Sequence, residues 1–461
     1  MIDFHRLLYK DIYKIQNYTK KSKYPFCDYS GGVIFTWYLG YKVEYAIYND
    51  TLILKIGEPT RFLLPLGKDF YGAITEIENY CIENGFPINF ACVDEKNLEV
   101  LKGKYNDNII VSYNRDFSDY VYDYQEMKTF SGKKFNGQRN HINAFKKLYP
   151  NYQYKKIDGK DEKRIYEFLE EYQKEHKKTS VIEEKELKHT KKIISYIKKG
   201  CFFGGYLEVD KKIVAISVGE YVGDMLVIHV EKALTKYKGV YPTMYNEFVK
   251  HSEKEGITKV NREDDSGDMG LRISKTQYKP INICNKYYIQ VKSVMPNIKK
   301  PKLKKDGVYL NGIRRSDIKS YAKLYKDKEI NKWWGYDYKK DIKDKNEKSF
   351  YLLQLSDYRK RYNMCLAIRK SLKGELIGEV ILYNFKHDNS VEIGIRLFKE
   401  YHKKGIARKS LEAVLEYIKN QLKLTAKMKC FKENLASKNL IEKCNFVKIN
   451  EDEKYLYYEK K

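Results

Sequence analysis

The stretch from Val391 to Leu411 holds the densest chemistry in the chain. Val391, Ile393, Ile395 and Leu397 alternate with Glu392, Gly394 and Arg396. That alternation predicts a strand with one apolar and one polar face. A basic loop follows, then Gly405 and an amphipathic helix with Ser410 and Leu411 in its early turns. A helix start presents N–H groups without partners and the positive end of the helix dipole. Gly405 lets the backbone approach a bound group closely. Lys403, Lys404, Arg408 and Lys409 add positive charge. Residues Lys403, Lys404, Gly405, Ile406, Ala407 and Arg408 together read as a diphosphate cradle. An ordinary helix cap with a basic face has the same appearance, and the sequence leaves both readings open.

Other reactive side chains are less organised. Eight cysteines are scattered through apolar segments, with no C-x-x-C pair and no histidine at metal spacing beside one. They read as reduced, buried thiols, and no metal site is expected. Lys and Arg total 89 against 62 Asp and Glu, a net charge of +27. An anionic partner would explain the excess. So would the codon bias of an AT-rich genome, since Lys, Tyr, Ile and Asn are all abundant. With 461 residues the chain has room for about three domains at roughly 150 residues each. No apolar run reaches the roughly 18 residues of a membrane span. The first residues carry charges and no uninterrupted apolar core, so no secretory leader is expected and a cytoplasmic protein is.

The elements that must position these residues follow from periodicity. Residues 293–305 carry two prolines and a run of lysines without apolar periodicity, and read as a linker. The region before it is mixed α/β. Two β-rich runs flank Asn49-Asp50, a hairpin signal. Residues 70–84 read as a helix stopped by Gly85, and 88–93 and 109–113 as strands. A second cycle has helices at 139–149, 160–177 and 183–199. Strands follow at 202–209, 213–221 and 225–230. Then come a helix at 242–254, a strand at 259–262, a short helix at 269–275 and a strand at 287–291. The last module repeats the order, with strands at 308–312, 364–369, 375–385 and 391–398 and a helix at 405–421. It ends in a strand at 426–431, a helix at 435–443 and a terminal strand pair. In both halves a three-strand meander ends in a basic-Gly turn that opens a helix: Tyr237 to Tyr241 in one, His402 to Ala407 in the other.

The turn His402-x-x-Gly405-x-Ala407 resembles the Gln/Arg-x-x-Gly-x-Gly/Ala turn of the Gcn5-related N-acetyltransferases, with His402 in place of the usual Gln or Arg. The resemblance covers about residues 306–461. It includes Asn434 to Phe446, similar to the family's Asn-x-x-Ser/Ala signature, with Asn445 in place of Gly before Phe446. It implies transfer of an acetyl group from acetyl-CoA to an amine. Pantetheine would pair with the strand end at Ile395, Arg396 and Leu397, the pyrophosphate would sit on residues 403–408, and Asn434 would contact the cofactor. A base is needed to deprotonate the ammonium. Glu392 on the polar face of that strand is the first candidate and Glu379 the second. A solvated strand carboxylate is an equal reading of Glu392. The Trp333-Trp334 pair lies where this family admits its acceptor and reads as a substrate wall or as core.

Three stretches before the linker, Ser131 to Tyr149, Tyr237 to Phe248 and Val260 to Pro280, resemble the catalytic domain of bacterial phosphatidylglycerol lysyltransferases. That domain is a tandem of two acetyltransferase-like folds related to Fem-type aminoacyltransferases. The match covers roughly residues 1–292 and implies transfer of an aminoacyl group from aminoacyl-tRNA. Lys133, Lys134, Arg139, Lys146 and Lys147 would suit a phosphate backbone. Glu263, Asp264, Asp265, Arg272 and Lys275 would hold a cationic aminoacyl group, or form an ion-pair network that orders a loop. No counterpart of those enzymes' membrane-embedded part is read here. The expected architecture is α/β, with three acetyltransferase-like folds: 1–130 and 131–292 as a tandem, linker 293–305, and 306–461. The expected activity is acyl transfer to a peptide or small-molecule amine, with aminoacyl-tRNA as a partner of the tandem. The alternative is a non-catalytic basic adaptor for tRNA or acidic surfaces.

Overall fold

The computed structural model describes residues 2–36, 38, 42–176, 181–344 and 346–460, apart from the side chains of 176 and 181–186. Lys177, the last residue of one expected helix, and Lys461 lie outside the described residues. The chain forms two compact units. One comprises Met1–Ile77, Asn89–Val100 and Val111–Gln290, the other Glu78–Ile88, Leu101–Ile110 and Val291–Lys461.

The fold is mixed α/β and contains three sheets. The first is built from β1 (His5–Arg6), β2 (Glu44–Tyr48), β3 (Thr51–Ile56), β4 (Arg61–Leu63), β5 (Leu66–Gly67), β6 (Ile88–Val93) and β7 (Ile109–Tyr113). The second uses β8 (Asp119–Asp123), β9 (Gln153–Lys156), β10 (Phe203–Val209), β11 (Lys212–Val222), β12 (Met225–Ala233), β13 (Lys259–Asn261) and β14 (Asn282–Cys284). β15 (Tyr287–Val291) returns to the first sheet, where the order is β1-β2-β3-β4-β6-β15-β7, with β5 pairing β3. The third sheet runs β16 (Leu303–Lys305), β17 (Val308–Gly312), β18 (Asn363–Arg369), β19 (Gly378–Lys386), β20 (Ser390–Leu397), β21 (Thr425–Phe431), then β23 (Tyr455–Lys460) and β22 (Val447–Glu451).

Each sheet has a parallel pair: β4 with β6, β12 with β13, and β20 with β21. The Asn49-Asp50 hairpin forms as expected, with both residues at positive φ. The helix Phe70–Asn84 matches its periodicity to the residue.

The first two sheets trade strands. β8 follows the first sheet in sequence but pairs with β13 and β14 in the second. β15 ends the second half of the sequence and lies between β6 and β7 in the first sheet. Residues 1–130 and 131–292 therefore complete each other. Nothing in the periodicity of Asp119–Asp123 distinguishes a strand of one sheet from a strand of the other, because pairing partners are set by tertiary packing.

The stretch read as a linker is packed. Met295 is 2% exposed, and Val294 and Met295 donate backbone hydrogen bonds to Phe385 and Arg361 at 3.0 and 2.8 Å. Leu303–Lys305 is the edge strand β16. The prolines interrupt helix periodicity, but an edge strand tolerates the lysines.

The exchange makes a stability prediction. Ile289 on β15 is fully buried. Ile289→Ala should cost about 2–5 kcal/mol. Hydrogen exchange should then accelerate in β2, β3 and β4, although these strands lie far away in sequence. Acceleration confined to β9–β12 would contradict the exchange.

Candidate functional site

The third sheet carries the sequence-predicted residues. β20 pairs with β21 only at Ser390–Thr425, Val391–Ala426 and Glu392–Lys427. β20 then continues to Leu397 and β21 to Phe431 without further pairing between them. The two strands part where the sequence places the acyl donor. Gly405 is the N-cap of the helix Ile406–Tyr417, at φ +76°. A Cβ built on Gly405 would meet nothing within 4 Å, so the helix start opens onto free space. Lys403 (φ +57°) and Lys404 precede it. Arg408 donates to Glu412 at 2.8 Å. The His402 ring is bonded to the Leu397 carbonyl at 3.0 Å, which ties the basic loop to the strand end. His402 thus has a structural task that its departure from the motif did not suggest.

The strand's alternation behaves as read. Val391, Ile393 and Leu397 are buried in one core, with Ile395 packed against it. Glu392, Gly394 and Arg396 face the other way. Arg396 is enclosed: it donates to Glu379 at 2.8 Å and to Asn331, and its guanidinium lies 4.1 and 4.3 Å from the ring centres of Tyr325 and Trp334. Its side chain is engaged in this face, so any role toward a cofactor passes through its backbone. Glu379 is fully buried in that ion pair. Glu392 accepts from Asn384 at 3.0 Å and lies 3.6 Å from the Lys429 ammonium; its side chain is 14% exposed, the more open of the two carboxylates. Asn434 caps the helix Leu435–Lys443, accepting from the Ser437 amide at 3.1 Å. Trp334 lies 3.0 Å from the position of a Cβ on Gly394, and Trp333 packs on Phe431 with ring centres 5.4 Å apart.

The second sheet repeats this geometry with different contents. β12 pairs with β13 from Met225–Lys259 to Val227–Asn261 and then runs on to Ala233. Counted from the last paired residue, His229 stands where Gly394 does and Glu231 where Arg396 does. Arg262, just past β13, donates to Glu231 at 2.8 Å and lies 4.3 Å from the Tyr245 ring and 4.6 Å from Tyr278. This ion pair bridges the parted strands. Gly239 caps the helix Val240–His251 at φ +81°, as Gly405 caps its own helix. A Cβ there would lie 2.2 Å from the His141 carbonyl and 3.2 Å from Phe145. The helix Asn136–Leu148 fills the space that is open at Gly405.

Sequence reasoning singled out Glu263 and Asp264 but missed the buried groups they join, His229 with Glu220 and Lys286. His229 bonds Glu220 at 3.0 Å and Glu263 at 2.8 Å. Burial alone pulls the imidazole pKa down, but the two glutamates outweigh it and lift it to about 9. Burial pushes the Glu263 carboxyl up. Glu220 also accepts the Gly32 amide at 2.6 Å, at the start of the short helix Gly31–Thr36. A Cβ on Gly32 would strike the His229 ring at 2.3 Å, so only glycine admits the ring. Nearby, the Lys286 ammonium lies 2.6 Å from Asp28 and Asp119 and 3.4 Å from Asp264. Burial opposes its charge, and the Asp119 and Asp28 carboxylates hold its pKa well above the usual value. Burial raises the Cys27 thiol, and Asp119 raises it further. Cys27, Asp28 and Asp119 have metal-type ligand atoms within 4.8 Å of one another, and the Lys286 ammonium lies among them.

The acidic group after β13 is also paired internally. Asp265 bonds Arg272 and Tyr120, Asp264 reaches Lys286, and Lys275 donates to the carbonyls of Arg262 and Asp264. Of the basic run, Arg139 clamps the carbonyls of Phe130 and Gly132 and Lys134 pairs with Glu126 at 2.6 Å. Lys133 and Lys147 are exposed.

Residues 22–290 match the family model for the C-terminal domain of phosphatidylglycerol lysyltransferase. The chain belongs to that family. Residues 308–447 match the acetyltransferase (GNAT) domain model, so both regions are acyltransferase-like. A conserved protein of unknown function from Bacteroides thetaiotaomicron is 28% identical in sequence, over 63% of this chain and 100% of its own, with a TM-score of 0.59. The structure of L-PGS from Bacillus licheniformis is 16% identical over 62% of this chain and 92% of its own, TM-score 0.46. A spermidine N-acetyltransferase from Vibrio cholerae, in complex with CoA and spermine, is 20% identical over 33% of this chain and 94% of its own, TM-score 0.29. An uncharacterised protein of Mycoplasmoides gallisepticum is 26% identical over 196 residues, 42% of this chain. The match spans 62% of that relative's length. Among the described residues no helix is long and apolar enough to cross a membrane.

His229 links this family domain's stability to pH. Its folded pKa of about 9 lies above the unfolded value of about 6.5. The stabilisation it provides is complete below about pH 6.5 and is lost as pH rises through about 9. The melting temperatures of wild type and His229→Gln should therefore differ most at pH 6 and converge toward pH 9.5. A difference that stays constant across that range would contradict a charged imidazole.

Proposed function

We propose that the C-terminal unit is an acetyl-CoA-dependent N-acetyltransferase. The observation that carries this reading is the contrast between two glycine caps: Gly405 opens onto free space, whereas the space before Gly239 is filled by a helix. The amides of Ile406, Ala407 and Arg408, with Lys403 and Lys404, are disposed to hold a pyrophosphate. The unpaired edge of β20 at Ile395–Leu397 is disposed to hold pantetheine. The bound thioester supplies the acetyl group; its C–S bond breaks as the acceptor's C–N bond forms, and the thiol leaves. Glu392 takes a proton from the acceptor's ammonium, directly or through water, so that the neutral amine attacks; the second proton, lost from nitrogen as the amide forms, goes to the leaving thiolate. The Lys429 ammonium lies 3.6 Å from that carboxylate.

The tandem is the second acyltransferase of the chain, taking its acyl group from aminoacyl-tRNA rather than CoA. Three features support this reading: the filled space at Gly239, the Glu231–Arg262 bridge across the parted strands, and the family of residues 22–290. Pro242 in the helix's first turn also removes an amide donor. The exposed Lys133 and Lys147 offer the electrostatic footprint for a polyanion.

Two measurements test these readings. Calorimetry should detect CoA binding in the micromolar-to-millimolar range. Gly405→Glu should abolish it while the melting temperature falls by only a few degrees, since the new carboxylate would face the pyrophosphate. Absence of CoA affinity in the wild type would favour the adaptor reading. Separately, the full chain should bind aminoacyl-tRNA with an affinity that falls with salt, at a log–log slope of about −0.7 to −0.9 per neutralised phosphate. Lys133→Glu with Lys147→Glu should flatten that slope, and salt-insensitive binding would contradict it.

A further inference from the structure

Beside the polar face of β20 lies a cluster of aromatic side chains, with the proposed base Glu392 at one end. Trp334 covers Gly394 and Arg396 on one parted strand, while Trp333 packs on Phe431 at the end of the other. Phe431 continues to Tyr455, ring centres 4.6 Å apart. Lysines sit over these rings: Lys332 is 4.9 Å from the centre of Trp333, Lys454 is 5.3 Å from Phe431 and 5.6 Å from Tyr455, and Lys429 is 5.7 Å from Tyr455. Glu392 and its cross-strand neighbour Tyr383 lie at the inner end.

Several carboxylates near these rings are already engaged. Glu379 is paired with Arg396, and Glu392 lies 3.6 Å from Lys429 and 4.0 Å from Lys386. Glu451 is shared by Lys432 and Lys448. Asp452 accepts from the Tyr457 hydroxyl and from the amides of Lys454 and Tyr455. Lys332 and Lys454 are exposed and meet no carboxylate among the described residues. A polyamine or aminoglycoside entering here would bring further cations beside uncompensated ammonium groups, and a like-charge pair at close range is repulsive.

We propose that the acceptor of the C-terminal unit is an amine carried by an acidic peptide, with Lys332, Lys429 and Lys454 as specificity-determining residues. This rests on the acetyltransferase reading of the same site and adds the substrate class. The peptide's amine reaches Glu392 at the inner end while its carboxylates meet the lysines along the rim. A peptide fits better than RNA, because Trp333, Phe431 and Tyr455 each have a neighbouring ring against them and a lysine ammonium nearby, and Trp334 carries the Arg396 guanidinium, which leaves little for a base to stack on.

Trp333 and Trp334 are two of the chain's three tryptophans, so intrinsic fluorescence reports on this aromatic cluster without turnover. The full chain is titrated with a hexapeptide Ser-Glu-Asp-Glu-Asp-Gly bearing a free N-terminus, with its Lys/Arg counterpart, with spermidine and with single-stranded oligouridine. The acidic peptide should bind at least tenfold more tightly than the basic peptide or spermidine at low salt, and weaken as salt rises. Lys332→Glu with Lys454→Glu, both surface changes, should reverse that order without lowering the melting temperature by more than a few degrees. Equal or tighter binding of spermidine, the basic peptide or the oligonucleotide would overturn the proposal, as would a fluorescence that no peptide changes. Calorimetry with CoA on the same samples separates the two readings. Intact CoA binding with the wrong acceptor order defeats only the acidic-peptide assignment, whereas loss of both defeats the acetyltransferase reading.

Discussion

Parallel pairing between β20 and β21 stops after three residues, and the C-terminal unit depends on that interruption. A fully paired sheet would spend every backbone N–H and C=O of β20 on its neighbours. Parting the strands leaves one edge of Ile395–Leu397 free and makes room for Trp333 and Trp334 on the polar side. It also directs the chain through a basic loop into a helix whose first amides face outward. The apolar residues of β20 and the helix Ile406–Tyr417 share one core, so the orientation of the helix start is fixed by packing. Gly405 accommodates the left-handed turn that joins them.

The same parting in the tandem has been put to another use. His229 and Glu231 replace Gly394 and Arg396, and Arg262 reaches across the gap. The buried His229–Glu220 pair anchors the start of the Gly31–Thr36 helix, while Lys286 gathers Asp28, Asp119 and Asp264. Buried charges of this kind are costly unless paired and hydrogen-bonded. Removing one partner would leave the others uncompensated, which explains why these groups come as closed clusters. Two glycine-capped helices thus differ: the start of one is open and that of the other is filled.

How much of this was legible in the sequence depended on whether the signal was local. The strand–loop–helix at Val391–Leu411 could be read because alternation, a basic run and a glycine are neighbours in the chain. The Asn49-Asp50 hairpin and the Phe70–Asn84 helix were legible for the same reason. The exchange of β8 and β15 was not, since strand pairing at long range leaves no periodic trace. Nor was the cluster of Gly32, Glu220, His229 and Glu263, which four separate elements bring together. A weak clue existed: His229 interrupts the apolar run Leu226–Val230, and a polar residue on a buried strand calls for a partner. Of the residues after β13, read as a cationic-group pocket or as an ion-pair network, Asp265 and Arg272 pair with each other, while Glu263 and Asp264 pair with His229 and Lys286. Arg139 and Lys134 in the basic run serve local contacts, which composition could not show.

The two glycine-capped helices differ in access, and amide hydrogen exchange tests this difference directly. With saturating CoA, the amides of residues 405–409 should become strongly protected while those of 239–243 remain unchanged. Protection at 239–243, or none at 405–409, would contradict that difference.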